Sequence, residues 1–340
     1  MEAARTGSGF GLACGDWFPV LTPYLAAPLF SPRAVERLKT AARRLPAEGL
    51  TVFEARLVPA DSPVDLSIRV NRSAAKRVPR WPLPSQLREF LSLWSDAYGP
   101  LSPVRSLWLE LDLDRPPPRE LSPIPCAELP RGAEPGWLMD TLLPALRGRP
   151  LAAGQRERIR LCLEALPSPG YPLYVFDLSA RGNDAVRLEF FGLDLAILPE
   201  YLDRVAPRSA RQARDIAPLF TGTERLHLSL DLDSEVLPRI GIEGSFPRQP
   251  GREPRWNELF GRLESRGLCS AAKRDAALAW PGYDTFWTAA AAWPMAAGAG
   301  GYFLRRLSHV KVACEPDRIP EAKAYLAFEL LERSGAAGTS

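Results

Sequence analysis

The sequence predicts an α+β protein in which repeated α-β-β-α units form an antiparallel barrel, or a barrel-like sheet, surrounded by helices. The first observation behind this prediction is a series of five strand pairs with helical patterns between them. Neighbouring strands joined by short turns pair antiparallel, so five pairs give about ten strands, enough to close a barrel. The pairs fall near residues 51–70, 106–126, 172–191, 225–246 and 302–314.

An internal repeat is the second observation. Segments 107–114 and 226–233 both read L-x-L-x-L-D-L-D and lie 119 residues apart. Trp137 and Trp256, each opening a helical pattern, share the same spacing. A fixed period carried by independent landmarks is typical of a duplicated unit.

The duplication predicts the domain organisation. We expect a single domain over residues 16–333, made of two pseudo-repeats at about 16–210 and 211–333. Residues 1–15 and 334–340 are expected to be flexible tails.

The helices between the strand pairs are predicted from apolar stripes with stop signals. Residues 87–94 place Leu87, Phe90, Leu91 and Trp94 on one face, and Gly99 follows as a stop. Residues 256–263 repeat this stripe before Gly267, and another helix is predicted near 32–44. Helix starts are expected at Leu198-Pro199-Glu200 and at Ile319-Pro320-Glu321, where Pro320 suits the first position of a last helix.

Composition excludes several classes of protein. The 43 basic and 40 acidic residues leave a net charge of +3, which gives no case for a nucleic-acid partner. The five cysteines are odd in number and form no CxxC, so neither a disulfide framework nor a cysteine zinc site is expected. The N-terminus lacks the layout of a signal peptide. The longest stretch of small and apolar residues, 288–304, is interrupted by Pro294 and three glycines, so it is a poor membrane span. We therefore expect a cytoplasmic protein with no membrane partner.

Alternation within the strands separates an aliphatic face from a polar one. Leu66, Ile68 and Val70 in one strand, and Leu226, Leu228 and Leu230 in another, belong to the face expected to pack on helices. The opposite face, if helices surround a barrel, lines its lumen. The alternative is an open sheet with a solvated polar face. The lumen is favoured because both histidines and a tryptophan fall on this face.

The polar face supplies the candidate site. Asp65 and Asp112 also belong to it. The predicted ligand-binding residues are Ser67, Arg69, Trp108, Glu110, Arg187, Glu189, His227, Ser229, Asp231, His309 and Lys311. The catalytic candidates are Glu110, His227 and His309; the two histidines are the obvious acid–base groups, because histidine titrates near neutral pH. Each histidine also fits an ordinary hydrogen-bonded structural role.

No metal site and no cofactor are predicted. Two histidines alone do not make a metal site, and with Asp231 or Glu110 they would make only a weak one. Asp112-x-Asp114 and Asp231-x-Asp233 are similar to acidic motifs that hold magnesium on a diphosphate, but they also fit simple strand ends. No GxSxG, P-loop or HExxH occurs, so the sequence leaves open whether the protein is an enzyme. The aromatic segment 280–293 fits either ligand contact or an ordinary packed loop.

The order of units over most of the chain resembles the aromatic prenyltransferase barrel, the ABBA fold, and especially its members that prenylate cyanobactin peptides. In that family basic and tyrosine side chains in the lumen hold a diphosphate, and an acidic group often assists. The predicted lumen here has Arg69, Arg187 and Lys311 against five carboxylates, an excess that would repel a diphosphate. No catalytic residue is therefore carried over.

A second resemblance rests on local sequence. Residues 267–282 (GLCSAAKRDAALAWPG), 307–312 (LSHVKV) and 321–328 (EAKAYLAF) are similar to bacterial proteins of peptide natural-product pathways. The chain resembles the paired peptide-binding proteins of the crocagin pathway, which guide pyrroloindoline formation on a ribosomal precursor. The resemblance implies a protein that binds a precursor peptide and assists its cyclisation, with a homologous partner protein or as a homodimer. The alternative is an aromatic or peptide prenyltransferase using an isoprenyl diphosphate.

Overall fold

A single antiparallel sheet dominates the computed structural model, which describes residues 14–45, 50–58, 61–76, 83–114, 121–285, 301–316 and 318–332. Ten of its strands close into a barrel, as the sequence predicted, and a short extra strand lies outside it. The strands are β1 Thr51–Arg56, β2 Val64–Val70, β3 Leu107–Leu111, β4 Ile124–Glu128, β5 Tyr171–Asp177, β6 Val186–Phe191, β7 Arg225–Leu232, β8 Val236–Ser245, β9 Gly282–Thr285, β10 Gly301–Cys314 and β11 Glu321–Glu332.

The barrel closes through its last two strands. Strands β1 to β8 pair in sequence order, β8 pairs with β10, and β10 pairs with β11. Strand β11 then returns to β1, with Leu326 opposite Phe53. Strand β9 pairs only with the first part of β10. Closure leaves no free edge among the ten barrel strands, and it encloses a space that we call the lumen.

Helices cover the outside of the barrel. They are α1 Phe18–Leu21, α2 Pro32–Ala42, α3 Arg72–Ala75, α4 Ser85–Ser95, α5 Pro135–Trp137, α6 Leu143–Arg147, α7 Ala153–Glu164, α8 Leu198–Val205, α9 Pro207–Ile216, α10 Arg255–Ser265 and α11 Ala271–Ala279. A π-helical turn, Leu138–Leu142, joins α5 to α6, and short 3-10 turns lie between other elements. No described helix is long and apolar enough to cross a membrane.

The predicted apolar stripes are confirmed. In α4 the four stripe residues are at most 4% exposed, and in α10 all four are fully buried. Helix α10 ends before Gly267, whose φ of +70° allows the amide of Leu268 to bond back to Leu263. Ser31, just before Pro32, caps α2 by accepting a hydrogen bond from the amide of Ala34.

The core lies between the barrel wall and the helices. The strand residues that alternate outward are aliphatic or aromatic and nearly all fully buried. Phe53 of β1, for example, packs against Phe18, Phe30, Phe328 and Trp280 with ring centroids 4.9–6.2 Å apart. One face of each barrel strand therefore packs against the surrounding helices, and the other face points into the lumen.

The prediction of a last helix at Pro320 is wrong, because residues 321–332 form β11. Proline suits the residue before a strand as well as the first residue of a helix, since its missing N–H costs nothing at either position. Ala324 and Leu326 point outward while Lys323 and Tyr325 point inward, a two-residue alternation. The fifth strand pair is accordingly β10 with β11, and not two strands within 302–314.

The predicted repeats and tails can be compared with the structure only where residues are described. Segments 107–114 and 226–233 both contain strands, β3 and β7, and the duplication itself stays a prediction. Cys14, inside the predicted tail 1–15, is buried and its amide bonds to Leu45. The remaining tail residues before Cys14, the predicted tail 334–340 and the aromatic residues Trp287 and Trp293 lie outside the described residues.

Candidate functional site

The lumen contains a cavity of about 510 Å³, within the usual size range of small-molecule sites. Its wall is built from the polar strand faces and several aromatic rings. Nine of the predicted ligand-binding residues line it: Ser67, Arg69, Trp108, Glu110, Arg187, Glu189, His227, His309 and Lys311. Their placement follows the alternation of β2, β3, β6, β7 and β10, and their role in binding stays a prediction.

Ser229 and Asp231 do not line this cavity, although they lie on the same face of β7 as His227. The hydroxyl of Ser229 accepts a hydrogen bond from Lys311 at 3.0 Å. Asp231 accepts two bonds from the guanidinium of Arg187, at 2.6 and 3.0 Å. Both residues therefore lie on the lumen face but outside the cavity lining, and they hold two of its cations in place.

Acidic residues near the strand ends are likewise bound by arginines. Asp112 accepts two hydrogen bonds from Arg181, both of 2.8 Å, and Asp65 lies 3.0 Å from Arg56. Asp231 thus anchors Arg187 of the cavity wall, whereas Asp112 anchors Arg181, which does not line the cavity.

Several wall residues were missed by the sequence analysis. Glu54 and Tyr325 come from β1 and β11, and Tyr325 donates a hydrogen bond to Glu54. Tyr325 was missed because β11 was read as a helix. Glu243 lies on β8 directly opposite His227, and the glycines at 241 and 244 obscured the alternation that could have revealed it. The aromatic rings of Tyr174, Phe176 and Phe191 also line the cavity.

Two histidine–carboxylate pairs form one cluster. His227 Nδ1 lies 2.6 Å from a carboxylate oxygen of Glu189, and His309 Nε2 lies 3.3 Å from Glu243. The two imidazole rings are nearly parallel with centroids 6.4 Å apart, and His309 stacks on Tyr325 at 3.9 Å. Burial opposes the charged form of His227, but the hydrogen bond to Glu189 and the negative charges of Glu189 and Glu243 together outweigh it and raise the pKa. Burial lowers the pKa of His309 despite the nearby Glu243.

Lys311 reaches this cluster by crossing β8. Its ammonium lies 2.6 Å from Oε1 of Glu243. The crossing requires a glycine beneath it, since a Cβ at Gly241 would lie 2.5 Å from Cε of Lys311. Burial alone would raise the pKa of Glu243, but Lys311 and the histidines lower it to about 2.

Glu110 differs from the other lumen carboxylates. No described residue donates a hydrogen bond to it, and its ion pair with Arg181 is long at 3.9 Å. Burial raises the pKa of Glu110 to about 7, with Arg181 opposing the shift. A carboxyl group that titrates near neutral pH can both accept and return a proton.

Beside Glu110 the wall presents N–H donors without partners. Trp108 Nε1 and Arg69 Nε are both buried, and neither has a hydrogen-bond partner in the described part of the chain. The guanidinium carbon of Arg69 lies 6.0 Å from the centroid of the Trp108 ring. Buried donors are normally paired, so these two are candidates for contact with a bound ligand.

The charges of the cavity wall nearly cancel. Four cations, Arg69, Arg187, Arg225 and Lys311, face four carboxylates, Glu54, Glu110, Glu189 and Glu243. Lys311 is paired with Glu243 and Arg187 with Asp231, while Lys323 is paired with Glu54 at 2.5 Å. Among the described residues, Arg69 and Arg225 have no carboxylate at ion-pair distance. The carboxylate excess expected from the sequence is absent from the cavity wall, because Asp65, Asp112 and Asp231 do not line it and Arg225 adds a cation.

The barrel also has known structural neighbours. The chain is similar to the prenyltransferase PriB in its apo form, with a TM-score of 0.50 and 16% identity, covering 94% of this chain and 96% of that one. It is similar to AnaPT from Neosartorya fischeri, with a TM-score of 0.51 and 11% identity, covering 94% and 92%. The fold is the ABBA prenyltransferase barrel. At these identities the likeness shows the fold alone.

Comparison at the level of sequence does not assign the chain to a family. No protein-family model matches this sequence, and no curated protein matches it significantly. The ABBA resemblance expected from the order of units is therefore confirmed at the level of the fold. The function has to be argued from the lumen.

Proposed function

We propose that the lumen of this ABBA barrel binds a tryptophan-containing precursor peptide and assists its cyclisation into a pyrroloindoline. The observation that carries the proposal is the near balance of charge in the cavity wall, where Lys311 and Arg187 are already paired with carboxylates. A diphosphate needs several free cations around it. A peptide segment needs both donors and acceptors along its backbone, which a mixed and nearly neutral wall supplies.

The unpartnered groups of the wall match this requirement. Trp108 Nε1 and Arg69 Nε offer N–H donors, and Glu110 offers acceptor oxygens. A peptide carbonyl can accept from the first two, and an amide or indole N–H can donate to the third. Leaving such groups unpaired costs about 1–3 kcal/mol each, so a ligand that pairs them gains affinity.

Aromatic side chains favour an indole as the inserted group. Trp108, Tyr174, Phe176 and Phe191 line the same cavity. Aromatic pairs contribute about 0.5–1.5 kcal/mol beyond the area that they bury. The cavity of about 510 Å³ takes the end of a peptide and not a folded domain, so the rest of a precursor would remain outside the barrel.

Glu110 is the residue that we propose for proton transfer. Ring closure on an indole joins a nitrogen of the peptide to C2: the nitrogen loses its proton, the C2–C3 double bond opens, and C3 takes up a proton in exchange. Glu110 has a pKa of about 7 and faces the cavity, so near neutral pH it can take the proton that the nitrogen loses. His227 and His309 remain secondary candidates, because each lies against a carboxylate.

Calorimetric titration with a candidate precursor peptide tests the proposal. We expect micromolar binding that is lost when the tryptophan of the peptide is replaced by alanine. Trp108→Ala should weaken binding by about tenfold, since it removes both a donor and a stacking face. Tyr98→Ala is the matched control because Tyr98 is 97% exposed, and it should leave affinity unchanged. Equal affinity for the peptide with and without its tryptophan would contradict the proposal.

Prenyl transfer is the second candidate, favoured by the fold of PriB and AnaPT and by Arg69 and Arg225, which have no carboxylate partner within the described part of the chain. It predicts binding of dimethylallyl diphosphate in the same calorimeter, weakened by charge reversal at Arg187 or Lys311. Absence of diphosphate binding at low ionic strength, where such attraction is strongest, would remove this candidate.

A homologous partner or a second copy of the chain is a further expectation of the peptide proposal, and sedimentation of the protein with its peptide would reveal it.

A further inference from the structure

Four potential metal ligands converge in the lumen wall. Glu189, His227 and Glu243 each bring one ligand atom, and these atoms all lie within 4.8 Å of one another. The three residues come from the adjacent strands β6, β7 and β8. His309 of β10 adds a second imidazole, whose Nε2 is 3.3 Å from Glu243.

The donor set has the character of a transition-metal site. Imidazole nitrogens combined with carboxylate oxygens suit zinc and similar divalent ions, whereas magnesium and calcium take oxygen ligands. Glu189 and Glu243 are only 5% and 3% exposed, so both are removed from bulk water. Strands hold all four residues, which limits the rearrangement needed to close around an ion.

The ammonium of Lys311 would compete with a metal ion for Glu243, but the two oxygens of this carboxylate allow it to bind both. Its ammonium lies 2.6 Å from Oε1 of Glu243, whereas Oε2 is the oxygen that faces His309. The hydroxyl of Ser229 also holds the ammonium, at 3.0 Å. One oxygen of Glu243 can thus remain paired with Lys311 while the other turns to a metal. Hydrogen bonds of this kind to ligating carboxylates are usual around protein metals.

We propose that Glu189, His227, Glu243 and His309 form a binding site for a divalent transition metal of the zinc class. All four residues line the cavity, so a metal held there would face whatever occupies the lumen. The ion would be positioned to polarise a carbonyl or to bind a water beside the ligand. The proposal does not depend on the peptide function, since metal binding can be measured without any organic ligand.

The test uses the full chain without a histidine tag, stripped with a chelator that is then removed. Zinc chloride is titrated by calorimetry, and Co²⁺ is added separately as a spectroscopic probe. We expect one equivalent of either metal, with the intense visible bands of four-coordinate Co²⁺ and no thiolate charge-transfer band. His227→Gln and Glu243→Gln should each weaken Zn²⁺ binding by about 100-fold, at the upper end of the losses seen for supporting residues.

Cys126→Ala is the matched control, because Cys126 supplies a thiol in the same cavity but is not part of the cluster. It should leave metal affinity unchanged. Loss of binding in this control, no stoichiometric binding by the wild type, or unchanged binding in both ligand variants would each overturn the proposal. If a ligand variant melts below the assay temperature, His309→Gln and the Co²⁺ spectrum of the wild type decide the matter.

Discussion

Replacing Arg187 with methionine is expected to lower the free energy of unfolding by about 3–5 kcal/mol, the range for breaking a buried ion pair. Arg187 and Asp231 have side chains 12% and 10% exposed and are joined by two hydrogen bonds. The variant would leave Asp231 buried without its main cation. Urea denaturation followed by tryptophan fluorescence would measure the loss.

Two comparisons isolate the cause of that loss. The double variant Arg187→Met with Asp231→Leu should recover most of the stability, since it removes the stranded charge together with its partner. Arg214→Met is the exposed control, because Arg214 and Asp203 are 47% and 49% exposed and their pair should contribute less than about 1 kcal/mol. An Arg187 variant no less stable than the Arg214 control would contradict this account of the lumen wall.

Replacing Glu110 with glutamine is expected to stabilise the protein above neutral pH and to leave it unchanged in acid. Burial raises the pKa of Glu110 from an ordinary 4.5 to about 7. The stability associated with neutral Glu110 is therefore fully present below pH 4.5 and is lost as the pH rises through 7. The variant lacks this loss, which should amount to about 3 kcal/mol at pH 8 for a shift of this size.

Thermal or urea unfolding of both proteins at pH 4, 6 and 8 would test the sign. Arg181 keeps its two hydrogen bonds to Asp112 in the variant, so no new unpaired charge obscures the comparison. Glu157→Gln provides an exposed control, whose difference from the wild type should not grow between pH 6 and 8. A constant difference between Glu110→Gln and wild type at all three pH values would show that Glu110 titrates normally.

The polar face of the lumen could be predicted because strand alternation is a local property. Residues such as Ser67, Glu110 and Lys311 had only to be assigned to the face opposite a run of aliphatic side chains. Nine of the predicted residues line the cavity for that reason. Ser229 and Asp231 show the limit of the argument, since alternation gives the face of a residue but not its depth along the barrel.

The arrangement of the site could not be predicted, because it depends on pairings between distant strands. The two histidines lie on β7 and β10, and β8 between them inserts Glu243 into the cluster. Barrel closure pairs β11 with β1, which brings Tyr325 to Glu54 although the two lie far apart in the sequence. Reading β11 as a helix hid both Tyr325 and Lys323, which are the hydrogen-bond and ion-pair partners of Glu54.

Photo-crosslinking tests most directly whether the lumen is the peptide site. A candidate precursor peptide carrying photo-leucine beside its tryptophan would be irradiated with the protein, and the adducts mapped by mass spectrometry. We expect crosslinks on strand peptides containing Trp108, Tyr174 or Phe191, suppressed by an excess of unlabelled peptide. Crosslinks confined to the outer helices, such as α4 or α10, would contradict the account.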